Sequence, residues 1–368
     1  MNQVLAIPAT REASFDDYAA IAALERANGL KSRPKAHWLR MWQGNPAYQA
    51  GKFPIGWVME DEDTGKLTGT ISNIPLAYTL RGRTILAATG RGWAVDPSAR
   101  AFAPLLFDEY LNQPVDLLLS TTVYGLAKAS HTLCEQTRVP VGDWTQAAFR
   151  ITSYPGFAAS ALRIKGLPAM LQIPAAAGLW LKDRLSAPAL PEAPRNLPVD
   201  RASGFSEAFD SFWDELIVLK WNKLMAVRNR ATLAWHFGPA IDSGAVRVLS
   251  VTQAGRMLGY CVLLRCDHEA SGLLRYRVCD AQWLTDDPQI PAALAHAAIE
   301  TSVADGVHVL ETVGLGVPNS AAFEQVASYR RNLPAWSYFY HSNDPALMEA
   351  LSAPAVWEPS SFDGDSSI

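Results

Sequence analysis

The sequence predicts an α/β (α+β) fold of two similar units, each a mixed, mostly antiparallel sheet flanked by helices. The 368 residues exceed the usual length of one domain. Between Ser186 and Pro198 a proline recurs every third or fourth residue, which excludes a helix interior or a central strand and predicts an extended connector. The same order of helix, hairpin, long strand, helix, strand, helix and strand is predicted on both sides of this connector.

These observations divide the chain into four predicted segments. Residues 1–155 are the first unit, 156–199 a helical and proline-rich linker, 200–345 the second unit, and 346–368 a tail. Because the repeated order of elements comes from two different stretches of sequence, internal duplication is a stronger inference than either unit alone.

The elements of the first unit follow from hydrophobic patterns and turn residues. An amphipathic helix begins after Ser14, a favoured N-cap residue. The turn sequences Asp-Glu-Asp-Thr-Gly-Lys and Arg-Gly-Arg each join two strands, and Gly65 of the first turn is available for positive φ. In order, we predict helix 15–28, strands 55–59, 66–72, 76–80 and 84–95, helix 102–112, strand 115–122, helix 125–137 and strand 144–151.

The second unit repeats this order with different residues. The tryptophan-containing segment 232–239 echoes segment 37–46 of the first half, and each ends in proline. We expect residues 329–331 to be the solvated end of a helix, where cations complement the dipole. In order, we predict helix 205–219, strands 246–251, 257–265 and 273–284, helix 288–304, strand 307–313, helix 319–331 and strand 335–341.

Composition excludes several partners. With 49% hydrophobic residues, 18% charged residues and a net charge of −4, the chain has no basic excess for a phosphate backbone, so nucleic acid is not expected. Residues 1–10 lack a secretory signal pattern, and we expect a cytoplasmic protein. The apolar stretch 167–181 is too short for a membrane span and contains two prolines. We expect a buried or domain-bridging helix there, with a peripheral surface helix as the alternative.

Cysteines and histidines form no metal-binding pattern. The four cysteines lack C-x-x-C spacing, and the histidines are scattered without an H-E-x-x-H sequence. We therefore expect reduced, buried thiols and no metal site.

One motif joins the long strand of the first unit to its next helix. It reads V-D-P-S-A-R-A-F-A, from Val95 to Ala103. Free N–H groups and the positive dipole end of a helix bind pyrophosphate. The motif resembles the V-x-P-x-x-R-G-x-G turn of the GNAT (GCN5-related N-acetyltransferase) superfamily, although alanine replaces both glycines and Pro104 removes one donor.

This resemblance implies tandem GNAT-like units that use acetyl-CoA or another acyl-CoA as co-substrate. The equivalent junction of the second unit contains Asp286 and Asp287 and no arginine. Because these carboxylates would repel a pyrophosphate, we expect no second coenzyme A site. The cofactor-binding residues that the resemblance implies in the first unit are Trp93, Ala94, Val95, Arg100, Ala101, Phe102, Ala103 and Leu105.

Four residues are catalytic candidates. Family members often protonate the leaving thiolate with a tyrosine on the helix after the fifth strand, but Leu133 and Cys134 lie near that place here. Tyr124 and His131 are the substitute candidates, with core packing of the Tyr124 ring and a surface or capped position of His131 as the alternatives. Asp280 and Glu311 lie in apolar strands, where carboxylates are costly unless they are paired or face a cleft. The alternatives for both are a solvent-facing position on an antiparallel sheet and pairing with Arg275 or Arg277.

Tryptophans supply candidate walls for an acyl or acceptor pocket, with core packing as the alternative. They are Trp38, Trp42, Trp93, Trp144, Trp221, Trp235 and Trp283.

The resemblance implies an acyl-CoA-dependent N-acyltransferase. We expect transfer of an acyl group, acetyl in the first instance, to an amine of a small molecule or biosynthetic intermediate. The alternatives are a catalytically silent GNAT-like binding or scaffold protein and a FemAB-like transferase that depends on aminoacyl-tRNA. Fold resemblance does not determine the acceptor, and the sequence leaves the oligomeric state open.

Overall fold

Two mixed sheets with flanking helices form the fold. The computed structural model describes residues 8–49, 52–122, 136–186, 188, 194, 197–333 and 336–368. The strands are β1 (Ala9–Glu12), β2 (Gly56–Glu60), β3 (Leu67–Leu80), β4 (Arg83–Val95), β5 (Leu117–Thr122), β6 (Thr137–Arg138), β7 (Asp143–Ile151), β8 (Val199–Ala202), β9 (Met225–Ala226), β10 (Val246–Gln253), β11 (Arg256–Arg265), β12 (Arg275–Trp283), β13 (Val309–Leu315), β14 (Tyr329–Asn332) and β15 (Trp336–His341).

Helices connect these strands. They are α1 (Tyr18–Ala27), α2 (Lys35–Leu39), α3 (Ala103–Leu111), α4 (Tyr154–Ile164), α5 (Gln172–Ser186), α6 (Ala208–Leu219), α7 (Arg230–His236), α8 (Gly238–Asp242), α9 (Gln289–Ala304), α10 (Ala321–Gln325) and α11 (Pro345–Leu351). Short 3-10 turns lie at Phe15–Asp17, Pro97–Phe102, Ala169–Leu171, Glu269–Ser271, Pro318–Ser320 and Pro354–Val356.

The two sheets have matching topologies. The first has the order β1-β2-β3-β4-β5-β15-β6, with β9 beside β3, and the second has the order β14-β7-β13-β12-β11-β10-β8. The pairs β4–β5 and β12–β13 are parallel, and the other pairs are antiparallel. The prediction of mixed, mostly antiparallel sheets flanked by helices is confirmed.

The units exchange strands. Strand β7, which we expected to close the first unit, lies in the second sheet between β14 and β13. Strand β15 from the second half lies in the first sheet between β5 and β6. The predicted boundary near residue 155 therefore describes the order along the chain, whereas both sheets contain strands from both halves.

Two local predictions were wrong. The predicted helix 319–331 ends at Gln325, and Tyr329–Asn332 form β14, because this segment pairs with β7 across a long sequence separation. The predicted strands 66–72 and 76–80 are one strand, β3. The turn at Arg81-Gly82 is as predicted, with φ of 52° and 75°.

A continuous core lies between the sheets. It joins side chains from both halves, including Trp42 and Ile74 of the first with Phe212, Leu233 and Val262 of the second. Apolar burial at this scale is the dominant stabilising contribution to folding. Because this core contains side chains from both units, we expect the two units to fold cooperatively.

Helices α4 and α5 form an antiparallel hairpin on the second sheet. Asp183 of α5 is buried and accepts hydrogen bonds from Tyr154 (3.0 Å) and Tyr329 (2.6 Å), which hold the hairpin to β14. The expectation of a buried or bridging helix at 167–181 was wrong: Met170 and Ile173 are each 81% exposed. Across the residues that the structure describes, no helix is long and apolar enough to cross a membrane.

Candidate functional site

The first sheet opens at a fork between β4 and β5. These strands pair only from Ala87–Leu117 to Thr89–Leu119, although β4 continues to Val95 and β5 to Thr122. Beyond the fork, the backbone N–H and C=O groups of β4 on that side have no partner in β5, so the fork leaves hydrogen-bonding groups for another segment or a ligand.

Tyr110 of α3 holds the base of the fork. Its hydroxyl oxygen accepts a hydrogen bond from the Gly90 N–H (2.9 Å) and donates to the Leu119 carbonyl (3.2 Å). Burial raises the pKa of Tyr110. The phenol is therefore neutral and bridges the two strands where their ladder ends.

A β-bulge lies immediately beyond this point. Thr70 pairs with Ala94 and Ser72 with Arg91, so two residues of β4, Gly92 and Trp93, oppose one residue of β3. A bulge redirects the strand and leaves a backbone group outside the ladder. The bulge at Gly92 and Trp93 therefore bends β4 next to the fork.

Glu25 of α1 lies against this bulge. Gly92 has φ of +65°, and a Cβ built there comes within 2.3 Å of Glu25 Oε1. Glu25 is only 8% exposed. Burial raises its pKa, and the positive charges of Arg91 and Arg33 oppose that shift. A buried carboxyl group with a raised pKa beside an open strand edge is a candidate for proton transfer.

Arginines and a second carboxylate complete the cluster. Arg91 Nη1 donates to the Asp365 carbonyl (3.2 Å), and its guanidinium lies 3.6 Å from the Asp365 carboxylate. Thr121 of β5 donates to that carboxylate (2.7 Å). Burial and the neighbouring Arg91 lower the pKa of Arg33 to about 10. Arg33 is thus still cationic at neutral pH, and the cluster contains two cations and two carboxyl groups.

The predicted tail, residues 346–368, is part of this site. Its segment 357–368 crosses the centre of the molecule, where Asp363 lies 3.7 Å from Arg228 and Ser367 lies 2.7 Å from His236 Nε2. Arg33 donates to the Ile368 carbonyl. This serine- and aspartate-rich sequence is buried because its polar groups meet partners from both units.

His236 of α7 lies between the tail and the core. Burial lowers its pKa to about 3, so the ring is neutral at pH 7. Its ring packs against Phe362 at a centroid distance of 4.4 Å. A small cavity of about 20 Å³ lies beside it, with Asn45, Tyr78 and Thr232 among its lining residues.

Asp280 and Glu311 lie in closed ion-pair networks. Asp280 accepts hydrogen bonds from Arg228 (2.9 Å), Tyr260 (2.6 Å) and Ser360 (2.8 Å). It thus pairs with Arg228, whereas we had named Arg275 or Arg277 as its alternative partners. Burial disfavours its charged form, but Arg228 outweighs this effect and lowers the pKa of Asp280.

Glu311 has the expected alternative pairing. Its carboxylate lies 2.7 Å from Arg277, 2.8 Å from Arg331 and 3.3 Å from Arg275. Burial opposes ionisation, but the arginines outweigh it and lower the pKa of Glu311 to about 2. The residues that we expected at a solvated helix end, 329–331, thus contain an arginine that forms an ion pair within the second sheet.

The strand-to-helix turn of the first unit differs from a simple helix start. Residues 97–102 are a 3-10 turn, and the Asp96 carboxylate accepts a hydrogen bond from the Ser98 N–H (3.0 Å). Arg100 and Ala101 are exposed, whereas Ala94 and Val95 are buried. The other implied cofactor residues, Trp93, Phe102, Ala103 and Leu105, are half-buried beside the turn.

The second unit has an equivalent fork that is filled. Strands β12 and β13 pair only up to Val278–Thr312, and Cys279 forms the bulge. Tail residues 359–361 and Asn319 close this fork around a cavity of only about 10 Å³. At the following junction the Asp287 carboxylate accepts a hydrogen bond from the N–H of Gln289, the first residue of α9 (2.9 Å).

Two candidate residues and one predicted helix fall outside the described part of the chain. Tyr124 and His131 lie there, as does nearly all of the helix predicted over 125–137. Most of the tryptophans have the core role that we gave as the alternative, and Trp221 is 52% exposed. The core tryptophans are Trp38, Trp42, Trp144 and Trp235.

Sequence reasoning missed Glu25, His236 and the tail. Glu25 had a usable signal, because it is a charge on the apolar face of α1 that also carries Ile21 and Leu24. The tail had no such signal, because its composition is that of a solvated segment. Within the described residues, no group of three or more His, Cys, Asp or Glu side chains is arranged to hold a metal ion.

Solved structures share this architecture. An Enterococcus faecalis V583 protein described as a probable N-acyltransferase matches with a TM-score of 0.58 and 11% identity, covering 92% of this chain and 73% of that chain. Two structures of Saccharomyces cerevisiae N-myristoyltransferase with bound myristoyl-CoA match with a TM-score of 0.55 and 12% identity, covering 92% of this chain and 80% and 84% of those chains. No protein-family model and no curated protein sequence matches the chain.

Proposed function

We propose that this chain, which has a tandem GNAT-like fold, is an acyl-CoA-dependent N-acyltransferase. The observation that carries the proposal is the β4–β5 fork with Glu25 against its bulge. It combines an open strand edge with a carboxyl group whose pKa is raised by burial. The likeness to structures of an N-myristoyltransferase with bound myristoyl-CoA supports the choice of co-substrate.

The fork is suited to a thioester. The Gly90 N–H donates to Tyr110, but the backbone N–H groups of β4 beyond Gly90 have no β5 partner, and we propose that one of them polarises the thioester carbonyl. We propose that the pantetheine lies along this edge and that the pyrophosphate lies near the turn at 97–102, with Arg100 exposed to it. Asp96 already occupies the Ser98 N–H, so Arg100 supplies most of the charge complementarity in this proposal.

Glu25 is the proposed proton acceptor for the amine. The amine nitrogen forms a bond to the thioester carbonyl carbon, the C–S bond breaks, and coenzyme A leaves as its thiol. The proton that the amine loses passes to Glu25, the thiolate takes up one proton from solvent, and Glu25 then releases its proton to solvent, so no net proton is gained or lost. The acceptor that we propose is an amine of a small molecule or biosynthetic intermediate, and the acyl group is acetyl in the first instance.

Ligand binding tests the co-substrate. Isothermal titration calorimetry of the purified protein with acetyl-CoA, octanoyl-CoA and myristoyl-CoA should give saturable binding for at least one of them and rank the acyl lengths. Arg100→Ala should weaken that binding by about tenfold, because a charge-assisted contact is lost. Arg330→Ala, a change at another exposed arginine, is the control. No binding across the series would refute the proposal.

Kinetics tests the role of Glu25. With an amine that gives turnover, Glu25→Gln should lower kcat by about a hundredfold and leave the KM for acyl-CoA nearly unchanged. Glu109→Gln, on the exposed side of α3, is the control and should keep full activity. An unchanged kcat in Glu25→Gln would show that another group accepts the proton, and acyl transfer itself would still be possible.

One observation favours the silent binding protein that we named as an alternative. The Asp96 carboxylate occupies an N–H group of the turn where the GNAT motif binds pyrophosphate. If a broad panel of amines and acyl-CoAs gave no transfer while the protein remained folded, this alternative would replace the enzyme. A filter-binding assay with charged tRNA tests the FemAB-like alternative in parallel.

A further inference from the structure

Apolar side chains project into solvent from the α4–α5 hairpin. Around its bend Ile164 is 65% exposed, and Met170 and Ile173 are each 81% exposed. Single exposed apolar residues are ordinary, but a contiguous group in one hairpin marks an interaction surface. We use the name hairpin face for these residues together with those of α5 described next.

Helix α5 continues this surface on its outer side. Trp180 and Leu181 are each 52% exposed and Leu185 is 78% exposed, whereas Ala176 and Asp183, seven residues apart, are buried on another side of the helix. Positions 173, 177, 180, 181, 184 and 185 share one side of an α-helix by their spacing of three and four residues. The outward side of α5 is therefore apolar from Ile173 to Leu181, and Arg184 interrupts it before Leu185.

The charges around the hairpin face are cationic. Between residues 154 and 186 the cations are Arg163, Lys165, Lys182 and Arg184, and the one carboxylate, Asp183, is buried against Tyr154 and Tyr329. The segment is thus net positive in a chain whose net charge is −4. Exposed tryptophan and aliphatic side chains flanked by lysine and arginine are typical of helices that lie in the interface of an anionic bilayer.

We propose that the hairpin face docks on the surface of an anionic lipid bilayer. Charge complementarity selects this occupant over a second copy of the chain. A two-fold interface would bring the same patch against itself and place the cations of both copies together. An anionic headgroup layer accepts the cations while the apolar side chains enter the region below the headgroups. This inference does not depend on the proposed acyl transfer.

Vesicle flotation with the full chain tests the proposal. The protein should float with vesicles of phosphatidylcholine and phosphatidylglycerol and remain largely unbound with phosphatidylcholine alone. The triple variant Met170→Ser/Ile173→Ser/Trp180→Ser should reduce the partition coefficient by at least about tenfold, because three exposed apolar side chains are lost. The double variant Lys165→Glu/Arg184→Glu should bind the anionic vesicles more weakly than the wild type. This difference in binding should be smallest at high salt, because salt screens the charges.

A matched control separates this surface from general hydrophobicity. Val218→Ser/Val303→Ser removes two apolar side chains that are 73% and 56% exposed elsewhere, and it should bind vesicles like the wild type. Melting temperatures verify that every variant is folded. Wild-type binding by the triple variant, or no binding to anionic vesicles, would refute the proposal. The hairpin face would instead be a homodimer interface if the wild type bound no vesicles but self-associated in sedimentation velocity, and if only the triple variant abolished that self-association.

Discussion

At the residue scale, Gly92 is under two separate constraints. Its φ of +65° lies in the left-handed region, and its Cα faces Glu25 Oε1, which a Cβ would approach within 2.3 Å. The positive φ affects the stability of the protein, because other residues are strained there. The short distance affects the position of Glu25, the proposed proton acceptor.

Gly92→Ala separates these effects when it is compared with Gly44→Ala. Both positions have positive φ, at +65° and +81°, but a Cβ at Gly44 meets nothing within 4 Å. Each change should lower the free energy of unfolding by about 1–2 kcal/mol, because alanine is strained in this region. Gly92→Ala should in addition lower kcat severalfold or more. Equal activity in the two variants, measured alongside denaturant unfolding, would show that Glu25 tolerates displacement.

His236 should make the stability of the protein depend on pH. Its pKa is about 3 in the folded state and 6.5 for a free histidine, so the unfolded chain binds the proton more tightly. Stability is therefore complete above pH 6.5 and falls as pH decreases toward 3, by up to about 1.4 kcal/mol per pH unit. Urea unfolding at several pH values between 5 and 7 measures this slope.

The matched variants are His236→Gln and His296→Gln. The first should flatten the slope between pH 5 and 6.5, because the titrating group is gone. The second removes a partly exposed histidine of α9 and should leave the slope as in the wild type. An equally steep slope in His236→Gln would assign the dependence to other groups.

At the scale of elements, the tail is held by an ion-pair network. Arg228 is 1% exposed and pairs with Asp280 of β12 and Asp363 of the tail, which ties the tail to the second sheet. Removing one partner from such a network leaves a buried charge without compensation. The network therefore couples the position of the tail to the stability of the whole protein.

Arg228→Met should lower the free energy of unfolding by about 3–5 kcal/mol. Arg230→Met changes a half-exposed arginine two residues away and should cost less than about 1 kcal/mol. Guanidinium unfolding compares the two. A loss below about 1 kcal/mol in Arg228→Met would show that the carboxylates become protonated or find other partners at little cost.

At the scale of the whole molecule, strand exchange makes the two units interdependent. The first sheet needs β15 between β5 and β6, and the second needs β7 between β14 and β13. A chain that ends after the first unit lacks β15 and exposes the edges of β5 and β7.

Residues 1–186 expressed alone should therefore be unfolded or aggregated. Co-expression with residues 187–368 should restore a folded complex of the two pieces. Size-exclusion chromatography and circular dichroism distinguish these states. A monomeric, folded first fragment would contradict the interdependence.

Local sequence patterns predicted much of this architecture. Sequence patterns located ten of the fifteen described strands and missed β1, β6, β8, β9 and β14. The turn at Arg81-Gly82 was located correctly, and Gly82 accepts its φ of 75° without strain. Segment 329–332 was misread as helix, because its strand conformation comes from pairing with β7. Of the candidate site, the end of β4 and its following turn were located, but Glu25 and the tail were not.

The sequence by itself determined the duplicated order of elements, the tandem GNAT-like fold class and the strand-to-helix turn of the first unit, because each depends on residues close together in the chain. Only the tertiary structure decided the exchange of β7 and β15, the burial of the tail and the contact of Glu25 with Gly92. These features join residues far apart in the chain, and no local pattern records which distant partner compensates a buried charge or completes a strand edge.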